Sequence, residues 1–267
     1  MRDGSTIGRM AGPVIERTLD RDRFIVLAGL SVATLLAWAW IVPMSFDMYG
    51  PMSGSSVWMK SPAWDTKYVL LLFAMWAVMM TGMMLPSAAP MILLFAGVVR
   101  RSDLSRPAVR SYAFAAGYLV VWSLFAAAAV AVQRLLVSAF ALTPMMTLSS
   151  NRAASAVLAL AGVYQFTPLK RTCLSSCQSP VTFIARHWQS GLTGAFRMGL
   201  AHGVFCIGCC WALMLLLFAG GVMHLTTIGL LTIVVLIEKT LPSELSVSWF
   251  TWATGSLLLV LAIWMLM

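Results

Sequence analysis

The sequence predicts an all-α fold, a polytopic transmembrane helical bundle of about seven spans, within a range of six to eight. Three observations carry that expectation. Hydrophobic residues make up 60% of the 267 positions and charged residues 10%, where a soluble domain carries roughly 25% charge. Mean hydropathy is +0.88, so apolar surface far exceeds what a water-facing protein can hide, and a bilayer is the solvent in which it costs nothing. No stretch shows the turn-punctuated alternation of a membrane β-barrel.

The elements follow from the apolar runs. Residues 1–23 are mixed in charge and too polar for a signal-peptide core. They read as a cytoplasmic N-terminal tail, and residues 24–267 as a single transmembrane helical domain whose first run, 24–42, is an uncleaved anchor. The second run, 68–99, is too long for one upright span. It contains Gly82, Pro86 and Pro90, which predict a kinked or broken helix there. Further spans are expected at 112–136, at 153–167 (short, ending at Pro168), at 194–222, at 226–237 (also short, with Glu238 and Lys239 at its end) and from 249 onward. No second domain, low-complexity linker or internal repeat is visible.

Net charge is +9, yet the basic residues sit in short segments between apolar runs. That pattern reads as topology determinants and contacts with membrane lipids, and speaks against nucleic acid as a partner. With the N-terminus inside, fourteen Lys and Arg fall in inner segments. Four, Lys60, Lys67, Arg134 and Arg152, fall in outer ones. The bias places the N-terminus in the cytoplasm, the 170–191 segment in a cytoplasmic loop and the 44–67 segment outside.

Chemistry concentrates in sulfur. The five cysteines form two groups, Cys173-x-x-x-Cys177 and Cys206-x-x-Cys209-Cys210. At about 100° per residue, with Met198 at zero, Cys209 lies at about 20°, His202 at about 40°, Cys206 at about 80° and Cys210 at about 120°. These soft or borderline ligands share one third of a helix and climb about 18 Å along it, so no single ion touches them all. A site near Cys206 with Cys209 or Cys210, completed from another helix, fits that geometry. Any one of these cysteines alone reads as a small packing residue; together with His202 they read as a metal or redox site. Cys173 and Cys177 lie beside Lys170 and Arg171, whose charge favours thiolate, in a compartment that keeps them reduced.

A second row, Met75, Met79 and Met83 at i, i+4, i+8, with Met80 and Met84 adjacent, offers thioethers that suit Cu(I). Methionine is equally a filler of apolar packing. Met44, Met48, Met52 and Met59 supply further thioethers in the outer segment. Glu238 reads as a proton acceptor or a support for the site, or else as a solvated residue near the inner interface. Tyr164 and Gln165 can hydrogen-bond across helices, with Gln165 a supporting residue of the site. His187 and His224 read as loop residues. No phosphate loop, carboxylate pair or serine-histidine-acid set is present, so an enzyme is the less favoured class.

The segment from Gly162 to Pro180, with Tyr164, Gln165, Pro168, Lys170, Cys173 and Cys177, resembles a family of bacterial integral membrane proteins of unknown function, described as predicted metal-binding. So does the segment Gly199 to Met214, with His202, Gly203, Cys206, Gly208, Cys209, Cys210 and Trp211, together with Glu238-Lys239 and the Met-rich stretch before Pro86. The resemblance covers roughly residues 68–239. It implies metal binding in a bacterial inner or plasma membrane and names no reaction. The sequence thus points to a soft-metal protein, most simply for Cu(I), acting in transport, sensing or delivery. Its expected partners are a metallochaperone or a membrane metalloprotein. A membrane thiol-redox enzyme and a structural or assembly subunit are the alternatives.

Overall fold

A computed structural model describes residues 5–50, 52–54, 56–60, 64–101, 106–139, 141–143, 146–241 and 244–267. Of these, residues 5–22, 60 and 244 are described by backbone alone. Among the described residues there are nine α-helices: α1 Ser5–Met48, α2 Thr66–Arg101, α3 Pro107–Ser138, α4 Asn151–Gln165, α5 Pro168–Gln178, α6 Pro180–His187, α7 Gly191–Gly220, α8 Leu225–Thr240 and α9 Glu244–Trp264. The side chains of the N-terminal tail lie outside the described residues.

Five helical stretches are long and apolar enough to cross a membrane: Arg23–Met48, Thr66–Arg101, Pro107–Ser138, Gly191–Gly220 and Leu245–Trp264. The count of seven is therefore not reached by single helices. α4 has 15 residues and α8 has 16, about 22 and 24 Å of helix against a hydrocarbon core of about 30 Å.

Side-chain contacts define two ends of the bundle. At one end the Tyr49 and His224 rings meet at 5.2 Å, the Leu148 amide donates to the Phe218 carbonyl at 2.8 Å, and the Arg134 guanidinium lies over the Trp64 ring. At the other end the Tyr112 hydroxyl donates to the Ile25 carbonyl at 2.7 Å and Trp188 meets Phe95. α4, α5 and α6 run between these ends in three pieces. Ser155 of α4 donates to the Ala262 carbonyl near the end of α9. Tyr164 donates to the Gly208 carbonyl in the middle of α7. Phe183 of α6 then packs on His202 at 5.3 Å, and Trp188 reaches Phe95. The breaks fall at proline: Pro168 and Pro180 each open a new helix at its first turn, where the missing N–H costs nothing. Thr167 caps the first of these, accepting from the Lys170 amide.

Two expectations are corrected here. The 170–191 stretch is not a loop but two helices packed into the bundle, and His187 closes α6 with its ring stacked on Phe183 at 4.6 Å. Of the kink or break expected in α2, the break is absent: the helix continues through Pro86 and Pro90. Pro86 cannot supply the N–H that would bond the Gly82 carbonyl, and the Trp38 indole N–H of α1 donates to that carbonyl at 3.1 Å instead. Ser87 donates to the Met84 carbonyl at 2.8 Å. The carbonyl beside the methionine row is thus taken by a side chain of α1.

α3 and α7 make the most intimate pair. A Cβ on Gly117 would strike the Phe196 carbonyl of α7, and one on Gly199 would strike the Phe114 carbonyl of α3. Small residues let backbones approach in this way when no hydrophobic force drives helices together. α2 packs chiefly on α1, α3 and α8, and α7 on α3, α5 and α4, so α3 and α8 stand between the two helices that carry most of the sulfur.

Candidate metal centre

α7 turns Met198, His202, Cys206, Cys209 and Cys210 inward, and all five are buried. Gly208 leaves room for the Cys173 sulfur of α5 against the α7 backbone. One turn further along α5, Cys177 is buried and touches Cys209, which in turn touches Cys206 and Cys210. Cys209 is thus the thiol that links α5 to α7, with Cys177 on one side and Cys206 and Cys210 on the other, and Cys173 lies beside it at Gly208. The Cys209 and Cys210 thiols donate to the Cys206 carbonyl at 3.0 and 2.9 Å. Among the described residues no three His, Cys, Asp or Glu side chains close into a ready metal-holding group. Holding an ion would require those two thiols to rotate off that carbonyl.

The surroundings of Cys206 are polar in a way the sequence did not announce. The Lys239 ammonium of α8 lies 2.8 Å from its sulfur and donates to the Ser87 hydroxyl of α2 at 3.0 Å. The Tyr118 hydroxyl of α3 lies 3.0 Å from the same sulfur and donates to the Met84 carbonyl of α2 at 3.1 Å. Cys206 is therefore tied to α2 through α3 and α8, not by direct helix packing. Beside it, Lys170 and Glu238 form a buried ion pair at 2.8 Å, with exposures of 0% and 1%. Gln178 donates to the Glu238 backbone carbonyl.

These contacts revise several expectations. Glu238 is not solvated at an interface; it is consumed by Lys170. Lys170 is consequently not free to favour thiolate at Cys173, and Arg171 is exposed. Lys170 and Lys239, counted above as inner-loop charges, are both interior. Met44, Met48 and Met59 are buried in the core rather than displayed for capture, and Met52 is half-buried. Met75, Met79, Met80, Met83 and Met84 are fully buried on α2. His202 is enclosed by Phe114, Tyr118 and Phe183, and its Nδ1 makes no hydrogen bond among the described residues. Gln165 is buried with both amide atoms in the same condition, while Tyr164 makes the cross-helix bond expected of it. His224 is exposed, as expected.

Tyr118, Ser87 and Lys239 were missed as site residues. Lys239 carried a signal, an ionisable residue adjoining an apolar run and next to a second one. Tyr118 and Ser87 carried none, because each is a common residue inside a long apolar helix. A cavity of about 390 Å³ lies between α5 and α9 and is lined by Lys170, Gln178 and Thr251 among others. None of the cysteines lines it.

No curated protein and no solved structure matches the chain. The profile of one family, described as PpoB2 copper chaperones, matches residues 73–265, which takes in α3 through α9 and most of α2. A match over that share of the sequence is in keeping with a metal-related bacterial family, and the chain belongs to the PpoB2 copper chaperone family.

Proposed function

We propose that this protein is a membrane-embedded copper chaperone that holds Cu(I) as cargo within the buried thiol group of Cys206, Cys209, Cys210 and Cys177, two of them binding the ion at a time, and passes it to a membrane metalloprotein. The observation that carries the reading is the burial of four thiols from α5 and α7 around Cys209, with the Lys239 ammonium 2.8 Å from the Cys206 sulfur. Thiolate sulfur selects soft ions such as Cu(I), and free cysteines that merely fill space need no cationic neighbour. Cys173 lies beside the group at Gly208 and serves as the next sulfur along the path. His202 and Met198 continue the same face toward the Tyr112 end. Met75, Met79 and Met83 form a thioether row on α2, reached from Cys206 through Tyr118 and Ser87. Gln165 and Glu238 support the site from α4 and α8.

The bundle lies in a bacterial inner membrane in this reading. The excess of basic residues puts the Tyr112 end, and the N-terminus, in the cytoplasm. The segmented α4–α5–α6 path supports the same reading, since interrupted helices at membrane depth are tolerated where they line a protein-enclosed site. A thiol-redox role has one observation in its favour, the Cys177–Cys209 contact across two helices.

Metal analysis of the purified full chain tests the proposal. Reduced protein is expected to retain Cu(I) through gel filtration, and a Cys206→Ser/Cys209→Ser/Cys210→Ser variant to lose it while keeping its helical spectrum. Equal copper in both proteins sinks the assignment. A Cys177–Cys209 disulfide that cycles during turnover, with copper retention irrelevant to function, would favour the redox reading.

A further inference from the structure

Among the described residues, the buried side chains that carry formal charge are Lys170, Glu238 and Lys239. The first two neutralise each other at 2.8 Å. Among the described residues Lys239 has no carboxylate partner; its ammonium is directed at the Cys206 sulfur at 2.8 Å and held there by the Ser87 hydroxyl at 3.0 Å. Lys239 thus brings one uncompensated positive charge to the sulfur group from a helix that contributes no sulfur.

We propose that Lys239 is the fixed counter-charge of a two-thiolate site and makes that site select a monovalent over a divalent soft ion. The inference rests on the cysteine site proposed above and concerns what that site prefers. Two thiolates, one monovalent ion and one ammonium sum to zero. With a divalent ion in the same two-thiolate geometry the sum is +1. A net charge surrounded by apolar helices is costly to hold, so the site favours the ion that closes the sum. Cys206 is one of the two thiolates. Cys209, in contact with both Cys206 and Cys177, is positioned to be the other. Neutral sulfur from the α2 row is then not needed to balance charge. Without Lys239, a neutral methionine or His202 would have to replace one thiolate for the site to be neutral.

Ag(I) and Hg(II) isolate charge from ligand number, because both are held by two thiolates. Competition between the two ions on the detergent-solubilised full chain gives a preference ratio. Lys239→Leu should shift that ratio toward Hg(II) by about tenfold or more, and Lys239→Arg, which keeps the charge, should hold it within about threefold. A packing role for Lys239 would weaken both ions alike and leave the ratio unchanged. An unchanged ratio in Lys239→Leu, with binding still abolished by the triple Cys206/Cys209/Cys210→Ser variant, overturns this proposal and leaves the cysteine site standing. Binding of both ions that survives the triple variant overturns the cysteine site and the role of Lys239 with it. Should Lys239→Leu fail to fold, X-ray absorption of the Cu(I)-loaded wild-type chain decides. Two sulfurs per copper are expected, and three or more contradict the charge balance.

Discussion

The methionine row of α2 and the cysteine row of α7 are equally buried, and they differ in what surrounds them. Around Met75, Met79 and Met83 the neighbouring contacts are structural. Trp76 packs on Phe218 at 5.3 Å and donates to Gln133 at 2.9 Å, and the freed Gly82 carbonyl is filled by Trp38. Around Cys206 a cation from α8 and a phenol from α3 converge, beside Cys209 and Cys210 of its own helix. Burial of sulfur therefore does not by itself mark a site in this protein. A buried cation aimed at sulfur does, since its desolvation has to be offset by something that packing alone does not supply.

The sharpest way to break this contrast is to disturb the charged neighbourhood without touching sulfur. Glu238→Leu strands Lys170 in the interior, and removing one partner of a buried ion pair costs about 3–5 kcal/mol. Thermal unfolding in detergent should show a large loss. Lys170→Met/Glu238→Leu, which removes both charges, should recover most of it. Equal losses in the single and double variants would mean that the pair is not the balanced unit described here.

A smaller effect is expected on the methionine side. Trp38→Phe leaves the Gly82 carbonyl unpaired, at a cost of about 1–3 kcal/mol, and frees α2 to bend at Pro86. The variant should unfold earlier while its Cu(I) retention stays near wild type. Copper loss on this substitution, with the cysteines intact, would shift weight from α7 to α2.

The long helices were legible in the sequence because each run of apolar residues satisfies its own backbone and needs no distant partner. The burial of Met198, His202, Cys206, Cys209 and Cys210 on one side of α7 was legible for the same reason, since helical spacing is local. The break at Pro168 was legible as well, whereas the continuity of α2 through Pro86 and Pro90 was not. Pro86 and Pro90 resemble helix breakers as much as Pro168 and Pro180 do, and the difference lies in Trp38, 44 residues before the carbonyl it fills. The segment from Lys170 to Gly191 reads as a cytoplasmic loop by its three Lys and Arg residues and its low hydropathy. Lys170 is interior because Glu238, 68 residues later, neutralises it. Lys239 was counted as a topology charge because its partner is a cysteine on another helix, which no local pattern shows.

The account is tested most directly by comparing Cu(I) affinities of two row variants against the wild-type chain, measured by competition with a colorimetric Cu(I) chelator. Met75→Leu/Met79→Leu/Met83→Leu conserves volume, and each swap should cost under about 1.5 kcal/mol of stability. Its Cu(I) affinity is expected to stay within about threefold of wild type. Cys206→Ser/Cys209→Ser/Cys210→Ser is expected to lose high-affinity binding altogether. The reverse outcome, with copper retained by the serine variant and lost by the leucine variant, would place the cargo on α2 and contradict the central claim.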